Sequence, residues 1–374
     1  KKKKKEKKIL YQLIFSAFLL FSNAYLVKAN SDILSQDSTG KYCINTEQDY
    51  YNFIENIQNY NNKTVILCND IDISDVPEAT SSFGGILNGK GHTITYASKE
   101  AKENIAVFPF RINDNGIVEN INVQIDESYA YNSETDEFQT VFSRCDGIAK
   151  GITIKGNVTC IYDDEDTDVY IGAIEGNGTL MDSSIAITYD LQSEKTIEEI
   201  ADDIVDNDLS FEFCQLGTIN TGITYQNCIG YGQYSEAIKS LADELEPKIK
   251  DNTWGYLCVS FTRKSFFSTS ASATNCYYDK ENMPDIKIMS EYITNRDNNK
   301  EFPNYADFGK TTSEMKNQGT YEGFDFNKKW TISPEDNNGY PYYNPQTEEI
   351  TLKVQASTEP KVWSTSAVSY THLR

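Results

Sequence analysis

A glycine-led segment that returns at a fixed interval is the strongest constraint on the fold. Gly116-Ile117-Val118-Glu119-Asn120-Ile121-Asn122-Val123 aligns with Gly147-Ile148-Ala149-Lys150-Gly151-Ile152-Thr153-Ile154, and Gly178-Thr179-Leu180-Met181-Asp182-Ser183-Ser184-Ile185 aligns with both. The step from Gly116 to Gly147 equals the step from Gly147 to Gly178, and Gly217-Thr218-Ile219-Asn220 reads as a looser fourth copy after a longer step. Each copy holds a glycine turn, an apolar residue two positions later, a polar turn position and an alternating strand. Alternation places every second side chain on one face. A short unit of this kind cannot bury its apolar face alone, so neighbouring copies stack. The pattern predicts an all-β solenoid over residues 30–306. An antiparallel sandwich is the alternative, and the regular period favours the solenoid.

Helical patterns interrupt the repeats. Thr46-Glu47-Gln48-Asp49 resembles a capping box with Asp in place of Glu, and Tyr50, Phe53, Ile54 and Ile57 follow on one face. Residues 49–58 therefore read as an N-terminal capping helix over the first rung, which would otherwise expose open strand edges. Residues 196–205 carry Ile197, Ile200, Ile204 and Val205 on one face. Residues 235–245 carry Ile238, Leu241 and Leu245 behind Ser235 as the N-cap. Both are acidic outside, and both are expected to pack on the solenoid flank. Residues 307–343 form a distinct closing unit with Phe324, Phe326, Trp330 and Asn338-Gly339-Tyr340-Pro341-Tyr342, an aromatic C-terminal cap expected to cover the far end of the stack. Residues 344–367, with one alternating strand at 349–356, read as a linker or the start of a further domain.

The two ends differ from the middle. Residues 1–8 are basic, residues 9–27 are apolar, and Val27-Lys28-Ala29 supplies a cleavage site before Asn30, so residues 1–29 read as a signal peptide. An uncleaved signal anchor is the alternative for the same segment. Residues 368–374 (VSYTHLR) resemble the conceptual translation of a sequencing-library transposase adapter. The expected location is secreted or at the cell surface, with membrane contact only through the signal segment or an anchor further along. Setting aside the 8 lysines and 1 glutamate of residues 1–29 leaves 26 basic and 55 acidic residues, a net charge of −29. That charge repels phosphate backbones and argues against a nucleic-acid partner.

A family resemblance rests on particular stretches. Phe83-Gly84-Gly85-Ile86-Leu87-Asn88-Gly89-Lys90-Gly91-His92-Thr93-Ile94 resembles the opening of GLUG-motif proteins, exported bacterial surface proteins. Residues 65–74 (VILCNDIDIS) resemble their first strand pair, residues 115–123 a rung, and residues 170–178 (YIGAIEGNG) the motif itself with Ala173 at its second glycine. Residues 275–279 (NCYYD) are similar to the segment before their closing unit, and residues 311–342 to that unit. The resemblance implies a right-handed parallel β-helix with an adhesin-like role. It implies location and fold more than chemistry, because the family also occurs beside surface metallopeptidase domains.

Chemistry is sparsely provided for. Histidine is limited to His92 and His372, and His92 sits in a turn without a Ser or Cys signature beside it. No catalytic or cofactor-binding residue is nominated. Asp164, Asp166 and Asp168 have alternating spacing, with Glu175 at position 12 of a calcium loop counted from Asp164, but Val169 stands where such a loop needs glycine. A solvated acidic loop is the plainer reading. Asp163-Asp164 and Asp202-Asp203 are adjacent acid pairs, which alone do not make the paired carboxylates of a polysaccharide hydrolase. Cys43 and Cys68 lie in neighbouring expected strands and form the candidate disulfide; Cys160, Cys214, Cys228, Cys258 and Cys276 read as interior thiols. Tyr50-Tyr51, Tyr277-Tyr278 and the tyrosines at 340–343 could stack on sugar rings or cover solenoid ends. The leading expectation is a surface module for adhesion, ligand binding or a stalk, with an extracellular polysaccharide or host ligand as partner. A polysaccharide lyase or hydrolase and an accessory region of a surface metallopeptidase are the alternatives.

Overall fold

The computed structural model describes residues 34–345 except 75, 78, 80, 98–105, 132–137, 163–166, 218–221, 251–252, 261–271, 285 and 291–307. The signal segment, the strand expected at 349–356 and the adapter-like tail lie outside the described residues.

The fold is all-β and mostly parallel. The main path of the larger sheet runs Tyr42–Ile44, Thr64–Leu67, Ile86–Asn88, Ile117–Tyr131, Ile148–Tyr162, Ser184–Gln192, Ile229–Gly230, Tyr277–Asp279 and Gly309–Lys310, each strand parallel to the next. A second sheet stacks Phe108–Ile112, Phe138–Cys145, Val169–Ile174, Ser210–Cys214 and Tyr256–Ser260 in parallel, with Ile286–Ile288 antiparallel at one edge. Parallel neighbours need a crossover. From Ile86–Asn88 onward the chain makes it by adding one strand to the second sheet before it returns one position further along the first.

The register follows the sequence period. Ile86 pairs with Ile117, Ile117 with Ile148, and Ile148 with Thr179, and each step equals the interval between the leading glycines. The fourth copy is a correction. Thr179 pairs with Thr224, and Thr224 pairs with Ser272, both longer steps along the chain. Thr224-Tyr225-Gln226 therefore takes the place expected for residues 217–220, because an excursion through helix Ile197–Asp206 lengthens that circuit. A second excursion, through helix Glu236–Leu245, lengthens the next.

One corner recurs in five successive repeats. Asn120, Gly151, Asp182, Asn227 and Asn275 stack in register, and all five hold positive φ, between 48° and 63°. Gly, Asn and Asp tolerate this left-handed conformation best. The chain bends there without losing its ladder: Glu119 pairs with Lys150 before the corner and Ile121 with Ile152 after it. Side chains extend the ladder, with Asn227 Nδ2 donating to Asp182 Oδ1 at 3.0 Å and Asn275 Nδ2 to Asn227 Oδ1 at 3.3 Å.

Past the corner, alternation fills the space between the sheets. Ile121, Val123, Ile125, Ile152, Ile154, Ile185, Ile187 and Tyr189 point inward and are buried. They share one core with Phe108, Phe142, Phe211 and Phe213 from the second sheet, and the Phe108 and Phe142 rings stack at 4.8 Å. The N-terminal helix spans Glu47–Glu55, and Ile57–Tyr60 is a separate 3-10 turn. Thr46 caps it by accepting the Asp49 N–H at 3.2 Å. The Asp49 carboxylate accepts from Asn45 N at 3.0 Å, one residue before the N-cap, whereas Glu199 makes the reciprocal bond to the N-cap Thr196 itself in the second helix. Phe53 plugs the start of the core, edge-on to Phe83 and Phe110.

The aromatic closing unit differs from its expected position. Met315, Tyr321, Phe324, Trp330 and Tyr340 cluster with Ile229 and Tyr231, with Ala186 and Tyr277 alongside. Ile229 and Tyr277 follow Ser184 on the outward face of the larger sheet, whereas Ile185 and Tyr278 point into the core. The unit therefore lies along the outer face of the sheet instead of simply crossing its end. It follows the corner column: Tyr343 covers Gly151, and Lys329 Nζ meets Asp182 Oδ2 at 2.8 Å. Asp279, fully buried on strand Tyr277–Asp279, anchors it by accepting from Thr312 Oγ1 at 2.8 Å and Tyr340 OH at 2.6 Å, and also accepts from Glu281 N, Asn282 N and Asn282 Nδ2 of the turn that follows it at 3.0–3.1 Å.

Cys43 and Cys68 are joined in a disulfide with Cα atoms 5.9 Å apart, closing a loop over 25 residues between the first two strands. Replacing both with serine is expected to cost about 3 kcal/mol in urea unfolding, from loop-closure entropy. Gly151→Ala is expected to cost about 1–3 kcal/mol in the same measurement, because a Cβ there would lie 2.3 Å from the Tyr343 ring on a backbone with φ of 63°.

Candidate functional site

Asp168 and Glu175, the described members of the acidic quartet, do not converge. Asp168 and Glu175 flank opposite ends of the extended strand Val169–Ile174, which separates them by about 20 Å at roughly 3.3 Å per residue. Calcium needs its oxygens within about 2.6 Å of one point. Asp168 Oδ1 accepts from Ser210 N at 2.6 Å, and Glu175 Oε1 pairs with Arg144 Nη1 at 3.3 Å. Asp164 and Asp166 lie outside the described residues. Between Asp168 and Glu175 the chain runs as a strand, where a calcium loop must turn. Among the described residues, no three His, Cys, Asp or Glu side chains gather as a metal site.

The other singled-out residues have structural neighbours. His92 Nδ1 lies 3.0 Å from Asp70 Oδ1, and the Thr93 N–H, followed by this ring contact, holds the Asp70 carboxyl below its ordinary range. Asp202 pairs with Lys248 at 2.7 Å and Asp203 with Lys195 at 2.8 Å, so the adjacent acids turn to different partners. Cys145, Cys160, Cys214, Cys228, Cys258 and Cys276 are buried thiols, and burial pushes Cys145 up to about 12. Tyr50 is buried with its hydroxyl on Val107 O, and Tyr340 is buried on Asp279. Tyr342, beside them in sequence, remains half-exposed.

Tyr342 forms one wall of a groove of about 370 Å³ between the closing unit and the outer face of the larger sheet. Thr93, Asn122 and Thr153 line its floor as one outward column from three successive repeats, with Gln124 and Lys155 from the next column. Asp336 and Asn337 stand opposite. Asn337 is fixed by Nδ2 bonds to Tyr340 O at 3.1 Å and Pro341 O at 3.2 Å, and Asn122 by its Nδ2 bond to Gly91 O at 2.7 Å. Lys155 is half-buried, and burial lowers its pKa from the usual lysine value. None of the described carboxylates forms an ion pair with it. Sequence reasoning missed Lys155 because its neighbours in the site come from other repeats; the alternation that points it outward was the available signal.

A larger concavity of about 590 Å³ lies between helix Glu236–Leu245 and edge strand Ile286–Ile288. Its charges are partly satisfied within it, as in the 2.7 Å pair of Lys239 with Glu236. The lateral groove is the stronger candidate because it brings a ring, amides, hydroxyls and a cation with no described carboxylate partner together. No protein-family model, curated protein or solved structure matches the chain.

A separate ion network ties the edge of the second sheet. Asp146 Oδ2 meets Arg111 Nε at 2.6 Å and Arg144 Nε at 3.0 Å. Burial alone would raise the Asp146 pKa, but the Arg144 hydrogen bond, the Asn177 N–H and both guanidinium charges outweigh it, and the net shift is downward. A lowered carboxylate stabilises the fold above its unfolded pKa, and that contribution disappears as pH falls through its folded value. Asp146→Asn is expected to cost about 1–2 kcal/mol at pH 7, discounted for the partly exposed arginines. In urea melts across pH, the gap from wild type should close below about pH 4.

Proposed function

We propose that this chain is an exported surface module, a right-handed parallel β-helix of GLUG-like repeats whose flank binds an extracellular ligand. The lateral groove carries this reading. The interior between the sheets is filled by apolar side chains, so recognition falls to outward columns, and there the closing unit turns a flat face into a concave one. Fixed amides, hydroxyls, one cation and a half-exposed tyrosine ring suit a hydroxyl-rich ligand such as a polysaccharide or host glycan. The apolar segment at 9–27 behind its basic start and the acidic remainder support export and an extracellular setting. Parallel strands stacked at the register of the sequence period support the β-helix.

The polysaccharide-cleaving alternative has less support. A hydrolase flanks the scissile bond with two carboxylates, and Asp336 is the single carboxylate among the described residues lining the groove. Arg111 and Arg144 are engaged with Asp146, away from it.

Expression of the full chain in a bacterial host should yield protein outside the cytoplasm whose N-terminus, by Edman sequencing, is Asn30. Retention in the cytoplasm would refute the export reading. The same preparation should bind immobilised polysaccharide or glycoprotein without releasing reducing ends or unsaturated products; release of either would establish the enzymatic alternative instead.

A further inference from the structure

We infer that the lateral groove selects carboxylated saccharides, and that Lys155 is the residue that recognises the carboxylate. The inference rests on the reading of this flank as a ligand-binding face and adds the chemical class of the ligand. Its starting point is an electrostatic oddity. The chain carries a net charge of −22, so acidic partners for a lysine are plentiful. Other lysines take them: Lys150 meets Glu119 at 2.8 Å, Lys195 meets Asp203 at 2.8 Å and Lys329 meets Asp182 at 2.8 Å. Lys155 stands half-buried on the groove floor with no carboxylate of the described residues paired to it. A partly desolvated ammonium without a partner is costly, and an anion arriving there would relieve that cost.

The surroundings narrow the anion. Asn122, Gln124, Thr153 and Asn337 are neutral groups that donate and accept, the complement of sugar hydroxyls rather than of a bare ion. Tyr342 offers a half-exposed ring for the apolar face of a pyranose. A polyphosphate or nucleic acid needs several cations in a row. The groove has one, and Asp336 at the opposite wall would repel further negative charge. A saccharide with a single carboxylate in contact at the floor fits both facts. The floor column crosses three successive repeats, so a chain of sugars would lie along the stack, across the strands.

The test uses the full chain and four probes in isothermal titration: oligogalacturonate, sialyllactose and the methyl ester of each. Wild type should bind at least one acid about tenfold or more tightly than its ester, with the preference fading as salt is raised. Lys155→Gln should bind acid and ester equally, while Lys155→Arg keeps the preference. Circular dichroism melts of both variants should overlay wild type, since the ammonium makes no ion pair with the described carboxylates. Equal binding of acid and ester by wild type, or a preference that survives Lys155→Gln, overturns the assignment of Lys155 and leaves the ligand-binding reading standing. Binding to glycoprotein or neutral polysaccharide alone overturns the carboxylate inference. Absence of binding to every saccharide and glycoprotein overturns both.

Discussion

The architecture depends on a left-handed corner repeated in register. At Asn120, Gly151, Asp182, Asn227 and Asn275 the backbone turns through a conformation that most residues resist, and it does so in register over five successive repeats. Because the corners superpose, the strands on both sides remain paired and the ladder is continuous around the bend. A corner displaced by one residue would flip the alternation beyond it and turn the apolar face outward. The corner therefore sets the core as well as the turn. The amide bonds along the column, Asn275 to Asn227 and Asn227 to Asp182, tie this local constraint into a vertical one.

That constraint explains where the protein tolerates additions. The two helical excursions leave the chain after the larger sheet and return before the second, so the circuits from Thr179 to Thr224 and from Thr224 to Ser272 lengthen without disturbing either register. The helices pack back through Ile200, Ile204, Ile238 and Leu241, which join the main core. Loop length costs little entropy as it grows, whereas a shifted strand would cost its whole buried face.

The closing unit then converts a repetitive surface into a particular one. Its aromatic cluster covers the outward side chains of the later repeats, and the buried Asp279 carboxylate takes the Thr312 and Tyr340 hydroxyls to hold it there. Where the unit overhangs the earlier repeats, it leaves the groove that contains Lys155 and Tyr342. Specificity thus arises at the seam between a regular scaffold and an irregular appendage, a common place for concave sites.

Much of the local structure was legible in the residues themselves. Alternation marked Ile121-Asn122-Val123 as strand, the shared face of Ile197, Ile200 and Ile204 and the Ser235 cap marked helices, and the even glycine period carried the register from Ile117 to Thr179, because these signals act over a short stretch or repeat unchanged. The neighbouring positions of Cys43 and Cys68 followed from the same strand reading. What sequence reasoning could not place were relations between distant segments. The fourth repeat moved from 217 to 224 because pairing energy, not glycine spacing, chooses the register once an insertion intervenes. Glu175 turned to Arg144 instead of toward Asp168 because an extended strand held them apart. The closing unit settled on the flank because that is where Ile229, Tyr231 and Tyr277 exposed apolar surface. Lys155 became a groove residue only when that unit, from the far end of the chain, folded back beside it. The sequence by itself determined the repeat, the corner and the caps, since each is a local preference; the tertiary structure alone decided the groove, since it exists only where two remote surfaces meet.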